Sequence, residues 1–137
     1  MNNLKRVLSL ALSTVMLVGM MAMGASAAGF TDIDEISNTD AVNTLVSLGV
    51  INGKDDGSFA PEETVTRSQM AKMITVALNG GRDFTYGTKV TPTYSDIKGH
   101  WAESYIEYCT SLNIIAGQGD GTFGPDGELT RAQLCKI

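Results

Sequence analysis

The chain contains two copies of one pattern, because residues 30–73 align with residues 94–137 at an offset of 64 positions without a gap. The identical pairs fall at turns, at apolar positions and at a helix start, which indicates duplication of a structural unit rather than shared composition. One copy is too short to bury an adequate core alone, and units of this kind generally need about three copies. The matches include Asp32-Ile33 with Asp96-Ile97, Asp56-Gly57 with Asp120-Gly121, Thr66-Arg67 with Thr130-Arg131, and Gln69 with Gln133.

The residues before the first copy have the features of a secretory signal peptide. Lys5 and Arg6 precede an uncharged apolar run at residues 7–23, and Ala25-Ser26-Ala27 follows as a small-residue cleavage site. A retained membrane anchor is the alternative, but the apolar run is barely long enough to span a bilayer. We therefore predict a signal peptide at residues 1–27 and a secreted protein.

The charge of the remaining chain excludes some classes of partner. Without Lys5 and Arg6 it has 8 basic and 15 acidic residues, a net charge of −7. An acidic chain without basic clusters is a poor candidate for binding nucleic acid or an anionic membrane. Any anionic ligand must therefore be bound by local geometry.

The two cysteines give no metal site. Cys109 aligns with Leu45 and Cys135 with Ala71, so two buried thiols are at least as well supported as the disulfide that a secreted protein permits. A zinc site would need a Cys/His cluster, and the chain has one histidine. We predict neither a metal nor a cofactor.

Each copy has the same predicted order of elements. An extended opener leads to a first helix, a left-handed residue at Gly49 or Asn113, an Asp-Gly turn, and a second helix that begins at Arg67 or Arg131. The first helix of the second copy has apolar residues at helical spacing. The second helix of the first copy ends at Asn79-Gly80-Gly81. The predicted apolar sets are Ala41, Val42, Leu45, Val46 and Leu48; Trp101, Ala102, Tyr105, Ile106, Cys109 and Leu112; and Met70, Met73, Ile74 and Ala77.

Both second helices begin with a capping box, Thr66 with Gln69 and Thr130 with Gln133. Each box contains an arginine directly after its threonine, although a cation at a helix start costs a few tenths to about 1 kcal/mol. The first backbone N–H groups of a helix favour an anion, and a guanidinium adds bidentate hydrogen bonds to a carboxylate. One interpretation is that Arg67 and Arg131 bind a ligand carboxylate, and the residues alone do not favour it over its alternative. The alternative is salt bridges, Arg67 with Glu62 or Glu63 and Arg131 with Asp126 or Glu128.

The Asp-Gly pairs do not fit a calcium loop. With Gly57 at position six of an EF-hand, Lys54 occupies a ligand position, and Ala116 and Gly127 do so in the second copy. A tight turn is the better prediction. Asp32 and Asp96 are expected to accept hydrogen bonds from local backbone N–H groups.

The ordered set of an aromatic-x-Asp-Ile opener, His100-Trp101-Ala102, "GDGTFGP" and "LTRAQ" resembles the S-layer homology (SLH) domain over residues 30–137. The resemblance implies a mainly α fold of tandem helix–loop–helix repeats within a pseudo-threefold assembly, whose third repeat is absent from this chain. It also implies ligand grooves between repeats. There, Arg67 and Arg131 would bind a secondary cell-wall polysaccharide that commonly carries a pyruvate ketal.

The predicted domains are the signal peptide 1–27, repeat one 28–81, a linker 82–93, and repeat two 94–137, which is cut short in its last helix. Trp101 is expected in the core rather than stacked on a sugar, and His100 at a cap or on the surface. Repeat one has Ile36-Ser37-Asn38 in place of His-Trp-Ala, and Gln replaces the family's usual acidic residue in both Thr-Arg motifs. The further candidates for sugar contact are Trp101, Asp56, Gly57, Asp120 and Gly121.

The resulting function hypothesis is a non-catalytic module that anchors a secreted protein at the bacterial cell wall or S-layer. Its partner would be secondary wall polysaccharide or a peptidoglycan-linked glycan, with no nucleic acid and no stable membrane span after signal cleavage. The alternative is a self-assembly protein whose repeats pair with further repeats in cis or trans. A hydrolase is disfavoured, since the sequence has one histidine, no G-x-S-x-G and no H-E-x-x-H.

Overall fold

The computed structural model describes residues 29–83, 86–87 and 91–137. The predicted signal peptide, and residues 84–85 and 88–90 of the predicted linker, lie outside these ranges. Within them the protein is mainly helical, as predicted, with one isolated antiparallel bridge between Thr66 and Glu128. The elements are a 3-10 helix at Ile33–Glu35 and the helices α1 at Thr39–Ser47, α2 at Arg67–Leu78, α3 at Glu103–Ser111 and α4 at Arg131–Leu134.

The second helix of each repeat begins where the capping box predicts. Thr66 Oγ1 accepts the N–H of Gln69 at 3.2 Å, and Gln69 Oε1 accepts the N–H of Thr66 at 2.9 Å. The box formed by Thr130 and Gln133 repeats both distances at the start of α4. Both predicted capping boxes are confirmed.

The helix ends also follow local sequence. Gly49 and Asn113 adopt φ of +71° and +57° after the first helices, which is the left-handed conformation expected there. α2 ends at Leu78, and Asn79 is its C-cap. The predicted helix ends are therefore confirmed. Glycine and asparagine suit these positions because they tolerate positive φ better than other residues do.

The opener of each repeat is bound to the segment before the second helix through an aspartate. Asp32 accepts the N–H groups of Phe59 and Ala60, and its Oδ2 lies 2.7 Å from the Ala60 nitrogen. Asp96 accepts the N–H groups of Phe123 at 2.8 Å and Gly124 at 2.7 Å. The predicted bonds to backbone N–H groups are therefore present, but the partners are 27 or 28 positions away rather than local.

The hydrophobic core crosses the boundary between the sequence repeats. One cluster of Ile36, Val42 and Val46 lies within repeat one. A second cluster joins Ala71 of repeat one to residues of repeat two, because α2 packs against α3. The repeat-two members of this second cluster are Ile97, Ala102, Ile106 and Phe123.

The predicted apolar face of α2 is wrong. Met70, Met73 and Ile74 are only partly buried and Ala77 is exposed. The helix instead buries a face of mostly small residues against α3, with Thr75 Oγ1 3.3 Å from Cys109 Sγ. The spacing of large apolar residues does not reveal such a face, because the face consists mostly of small side chains. Small side chains allow two helices to approach closely. The buried residues of α2 are Ser68, Ala71, Thr75 and Val76.

The first helices also expose part of their predicted apolar sets. Trp101, expected in the core, is 55% exposed just before α3, because Ala102 occupies the buried position at the helix start. Its ring lies 5.5 Å from that of His100 and 6.3 Å from that of Tyr105, between centroids. His100 does not cap α3, whose N-cap is Ala102 without a side-chain cap bond, but its Nδ1 accepts the N–H of Ala102 at 3.1 Å just before the helix. The other exposed members are Ala41, Leu45, Leu48 and Leu112.

The two cysteines have different environments. Both are free thiols, but Cys109 is buried between α2 and α3 whereas Cys135 is exposed. The prediction of two buried thiols therefore holds for Cys109 only. Burial raises the pKa of the Cys109 thiol, and the hydrogen bond with Thr75 only partly opposes this rise.

Candidate ligand-binding groove

The candidate site lies where the start of α2 meets the loop that precedes α4. The antiparallel bridge joins Thr66 to Glu128, and the N–H of Leu129 donates to the carbonyl of Val65 at 2.9 Å. The N–H of Arg67 donates to the carbonyl of Gly127, also at 2.9 Å. Repeat two therefore covers the point at which the second helix of repeat one begins.

These contacts correct the prediction that the first N–H groups of α2 are available to an anion. Besides the bond from Arg67, the N–H of Ser68 donates to the carbonyl of Pro125 at 2.9 Å. The next N–H groups, of Gln69 and Met70, are bound by the Thr66 hydroxyl and carbonyl. The amides at the start of α2 are thus already paired with oxygen atoms of the protein.

Arg67 is bound to the same loop through its side chain. Its Nε donates to the carbonyl of Phe123 and its Nη2 to the carbonyl of Ala116, both at 2.9 Å. The guanidinium carbon lies 4.3 Å from the centroid of the Phe123 ring. Carbonyl oxygens and an aromatic face stabilise a cation here, which explains an arginine at the positive end of a helix.

The salt bridges considered for Arg67 are not formed. Glu63 pairs with Lys54 instead, and no ion pair of Arg67 occurs in the described part of the chain. A guanidinium has five N–H donors, and two of those on Arg67 are used by carbonyl groups. The remaining donors face a groove, which we call the junction groove.

The junction groove is a cavity of about 290 Å³ between α2 and repeat two. Two cationic side chains, Arg67 and Lys136, line it together with the amide of Gln133, and no aspartate or glutamate side chain occurs among the described residues that line it. An adjoining cavity of about 410 Å³ shares Arg67 and Gln133 and contains Glu128, whose Oε1 accepts the hydroxyl of Thr64 at 3.1 Å. The other residues of the groove are Met70, Asn113, Ile114, Ile115, Ala116, Gly117, Phe123, Leu129 and Ile137.

Sequence reasoning missed Lys136. The alignment pairs it with Lys72, which forms a salt bridge with Asp83 at 3.2 Å. No local pattern distinguishes the two lysines, since Lys136 enters the groove only through the packing of repeat two against α2. The signal in the sequence that could have indicated Lys136 was its alignment with Lys72.

Arg131 has a different environment from Arg67. In the described ranges neither its guanidinium nor its backbone N–H has a hydrogen-bond partner, and α4 is exposed throughout. Neither suggested salt bridge is present there, because Asp126 contacts Nε2 of His100 at 3.3 Å and Glu128 binds Thr64. The structure therefore does not place the two arginines in equivalent grooves.

The other predicted contacts lie away from the junction groove. Asp56 accepts the N–H and hydroxyl of Ser58 at 2.9 and 2.7 Å, and Asp120 binds Thr122 in the same way. These hydrogen bonds, first those from the hydroxyl groups, lower the pKa of both carboxyls and fix the Asp-Gly turns. Trp101, Gly57 and Gly121 do not line the groove. Across the described residues, no three potential metal-ligating side chains lie close enough to hold an ion.

The comparisons with known proteins agree with this architecture. The model of the S-layer homology domain matches residues 29–71 and 93–135, more than half of the chain and at both predicted repeats. The chain belongs to the S-layer homology domain family. As an SLH protein it is associated with the cell surface and the cell wall. Of the helices that the structure describes, none has the length and apolar character needed to cross a bilayer.

Three relatives show the contexts in which this sequence type occurs. An S-layer protein of Bacillus licheniformis is 28% identical over 138 residues, covering 99% of this chain and 15% of that protein. The cellulosome-anchoring protein of Acetivibrio thermocellus is 32% identical over 93 residues, covering 68% of this chain and 21% of that protein. An uncharacterized cell wall amidase of Bacillus anthracis is 31% identical over 108 residues, covering 79% and 19%. The chain therefore spans between 15% and 21% of the length of these relatives.

Proposed function

We propose that this SLH chain is a non-catalytic anchoring module that binds an acidic secondary cell-wall polysaccharide in the junction groove. The supporting observation is the composition of that groove. In a chain with 15 acidic and 10 basic residues, the cavity between the repeats is lined by Arg67 and Lys136 and by no described aspartate or glutamate side chain. Such a cavity favours an anion despite the net negative charge of the protein.

The groove has the chemistry for a sugar that carries a carboxylate, such as a pyruvate ketal. The unused N–H donors of Arg67 and the ammonium of Lys136 supply charge-assisted hydrogen bonds. The partly exposed apolar side chains of Ile115 and Leu129 offer contact to the C–H faces of a pyranose ring. The cavity of about 290 Å³ suits a terminal unit of a glycan.

The protein orients Arg67 before any ligand arrives. Two donors of the guanidinium are held by the carbonyl groups of Phe123 and Ala116, so its plane and position are set by the fold. A preorganised donor loses less conformational freedom on binding than a free side chain does. The capping box of Thr66 and Gln69 supports this arrangement because it fixes the start of α2.

We propose a second contact for the acidic glycan at Arg131, supported by the capping box of Thr130 and Gln133. The guanidinium of Arg131 is exposed and has all its donors available. The exposed ring of Trp101 is proposed to stack on a sugar face. The turn residues Asp56, Gly57, Asp120 and Gly121 are at most peripheral polar contacts.

The relatives support a role in attachment rather than in chemistry. One is a cellulosome-anchoring protein and another an S-layer protein, and the match to the amidase covers 19% of that enzyme, in its SLH part. No catalytic constellation is evident in the sequence. We therefore assign the chain a binding role and no reaction.

Co-sedimentation with purified secondary wall polysaccharide tests the proposal. Lys136→Gln removes one cation from the groove, and we expect binding to weaken by about two- to fivefold, the range for one exposed ion pair. Lys98→Gln is the matched control, since it makes the same charge change outside the groove and should bind like wild type. Equal binding by wild type and both variants would contradict the proposed site.

Arg67 needs a different variant, because its side chain also holds the loop of repeat two. In an Arg67→Ala variant, a loss of binding could not be distinguished from a loss of folding, so Arg67→Lys is the better probe. A lysine keeps the charge but cannot hold two carbonyl groups and a bidentate carboxylate at once. We expect binding to weaken by about tenfold, while circular dichroism confirms that the helices remain.

A further inference from the structure

The junction between the repeats consists of two complementary halves. We call residues 65–68 with Ala71 the edge half, because they supply the bridging edge, the arginine and the buried face of α2. We call Ala116, residues 123–129 and Cys109 the loop half, because they supply the carbonyl groups and the facing surface of α3. The contacts at Arg67, Ser68 and Thr66 described above join these halves.

The duplication gives repeat two its own edge half, residues 129–132 with Cys135. Each group of the first edge half that is bonded to the loop half has an unbonded counterpart here. In the part of the chain that the structure describes, the N–H groups of Arg131 and Ala132 have no hydrogen-bond partner. Ala71 is completely buried, whereas its counterpart Cys135 is exposed.

Repeat one likewise has its own loop half, Asn52, residues 59–65 and Leu45. Leu45 is 40% exposed, whereas its counterpart Cys109 is fully buried under α2. Over the described ranges, four carbonyl groups of this half accept no hydrogen bond, although their counterparts in repeat two all do. These are the carbonyl groups of Asn52, Phe59, Pro61 and Glu63.

The open loop half already has the conformation of the occupied one. Ala60 adopts φ of +57°, close to the +69° of its counterpart Gly124. This conformation is uncommon for alanine, so the loop keeps its shape even where the residue does not favour it. At this turn, the backbone of repeat one therefore already has the conformation of the occupied loop half.

We propose that the edge half of repeat two docks on the loop half of repeat one in a second copy of this chain. Arg131 would donate to the carbonyl groups of Asn52 and Phe59 of the other copy, and its N–H to that of Glu63. Cys135 would pack on Leu45 as Ala71 packs on Cys109. The contact is heterologous, so copies associate head to tail and close into a ring or extend as a filament, depending on the rotation between them. It requires no glycan and so is independent of the proposed function.

Sedimentation equilibrium of the secreted form of the chain, over a series of protein concentrations, tests this association. We expect mass to rise with concentration, and Leu45→Asp to weaken association by at least about tenfold because a charge would be buried in the contact. Leu48→Asp is the matched control. Leu48 is 56% exposed, and its counterpart Leu112 remains 46% exposed beside the occupied junction, so this position lies outside the contact.

Cross-linking between labelled and unlabelled copies locates the contact. In a Leu45→Cys variant, a short bis-maleimide should join residue 45 of one copy to Cys135 of another, whereas Leu48→Cys should not give the equivalent product. A chain that stays monomeric at all concentrations overturns the proposal, as do equal effects at positions 45 and 48. A 45–135 product found only within single copies overturns it as well.

Discussion

Arg67 shows how one residue supports both the fold and the candidate site. Its partners lie 49 and 56 positions away in the sequence, so no local pattern indicates that its guanidinium holds two carbonyl groups. The capping boxes, by contrast, were predictable because Thr66 and Gln69 are three positions apart and form their bonds within one helical turn. At this scale sequence reasoning identified the capping boxes and singled out Arg67, but it did not reveal the contacts of Arg67.

The two arginines should differ in their effect on stability. Arg67→Ala removes two charge-assisted hydrogen bonds and the contact with Phe123, and we expect a loss of about 2–3 kcal/mol in unfolding free energy. Arg131→Ala should change it by less than about 0.5 kcal/mol, because the side chain is exposed and has no partner among the described residues. Urea unfolding at a protein concentration that keeps the chain monomeric measures both. Equal losses would show that the Arg67 contacts do not stabilise the fold.

The opener aspartates should make stability depend on pH. The hydrogen bond from Phe59, with that from Ala60, lowers the pKa of Asp32 below 3.8. At Asp96 burial raises the pKa, but the hydrogen bonds from Phe123 and Gly124 outweigh it and the pKa is lowered. A lowered folded-state pKa gives stability that is present above about 3.8 and lost as pH falls through the folded value.

We therefore expect the unfolding free energy to fall as the pH is reduced below about 4. A double variant, Asp32→Asn with Asp96→Asn, should be less stable at pH 6 and less sensitive to acid than wild type. Chemical denaturation between pH 2 and pH 6 gives both quantities. An unchanged acid dependence in the variant would mean that other carboxyls control it.

At the scale of elements, the packing of α2 on α3 forms the shared core. The limits of α2 follow from its capping box and from Asn79 and Gly80 after it, and these were predictable. The buried face of α2 was not, because Ser68, Ala71 and Thr75 have no large apolar side chains. Their burial depends on the close approach of a helix from the other repeat, which periodicity within α2 cannot indicate.

A larger side chain at this contact should force the helices apart. Ala71→Leu places extra methylene groups at a position with no exposure, and we expect a loss of about 1–3 kcal/mol. Ala77→Leu makes the same change on the exposed face of the same helix and should lie within about 0.5 kcal/mol of wild type. Thermal and urea unfolding of the two variants provide the comparison. Similar stabilities would argue against tight packing at Ala71.

At the scale of the whole molecule, the structural unit is offset from the sequence repeat. α2 belongs to repeat one by sequence but packs in the core of repeat two. The end of the linker 82–93 is also bound to α3, since buried Glu107 accepts the N–H of Thr93 at 2.5 Å and its hydroxyl at 2.9 Å. The duplication predicted two repeats, but the offset follows from long-range packing that a gapless alignment does not contain.

This offset predicts that the two repeats stay together when the linker 82–93 is cut. A site for a specific protease, inserted after Gly87, allows the chain to be cut within the linker. We expect the two fragments to elute together in size-exclusion chromatography, because the α2–α3 contact and the bridge at Thr66 remain. Separate elution with retained helicity would show that each repeat folds without the other.

Calorimetric titration of the chain with secondary wall polysaccharide, before and after mild acid removes its pyruvate ketals, tests the central claim most directly. The account predicts saturable binding to the intact glycan that weakens as salt rises, and little binding to the glycan without ketals, because Arg67 and Lys136 need an anionic group. Equal affinity for the two preparations would contradict it.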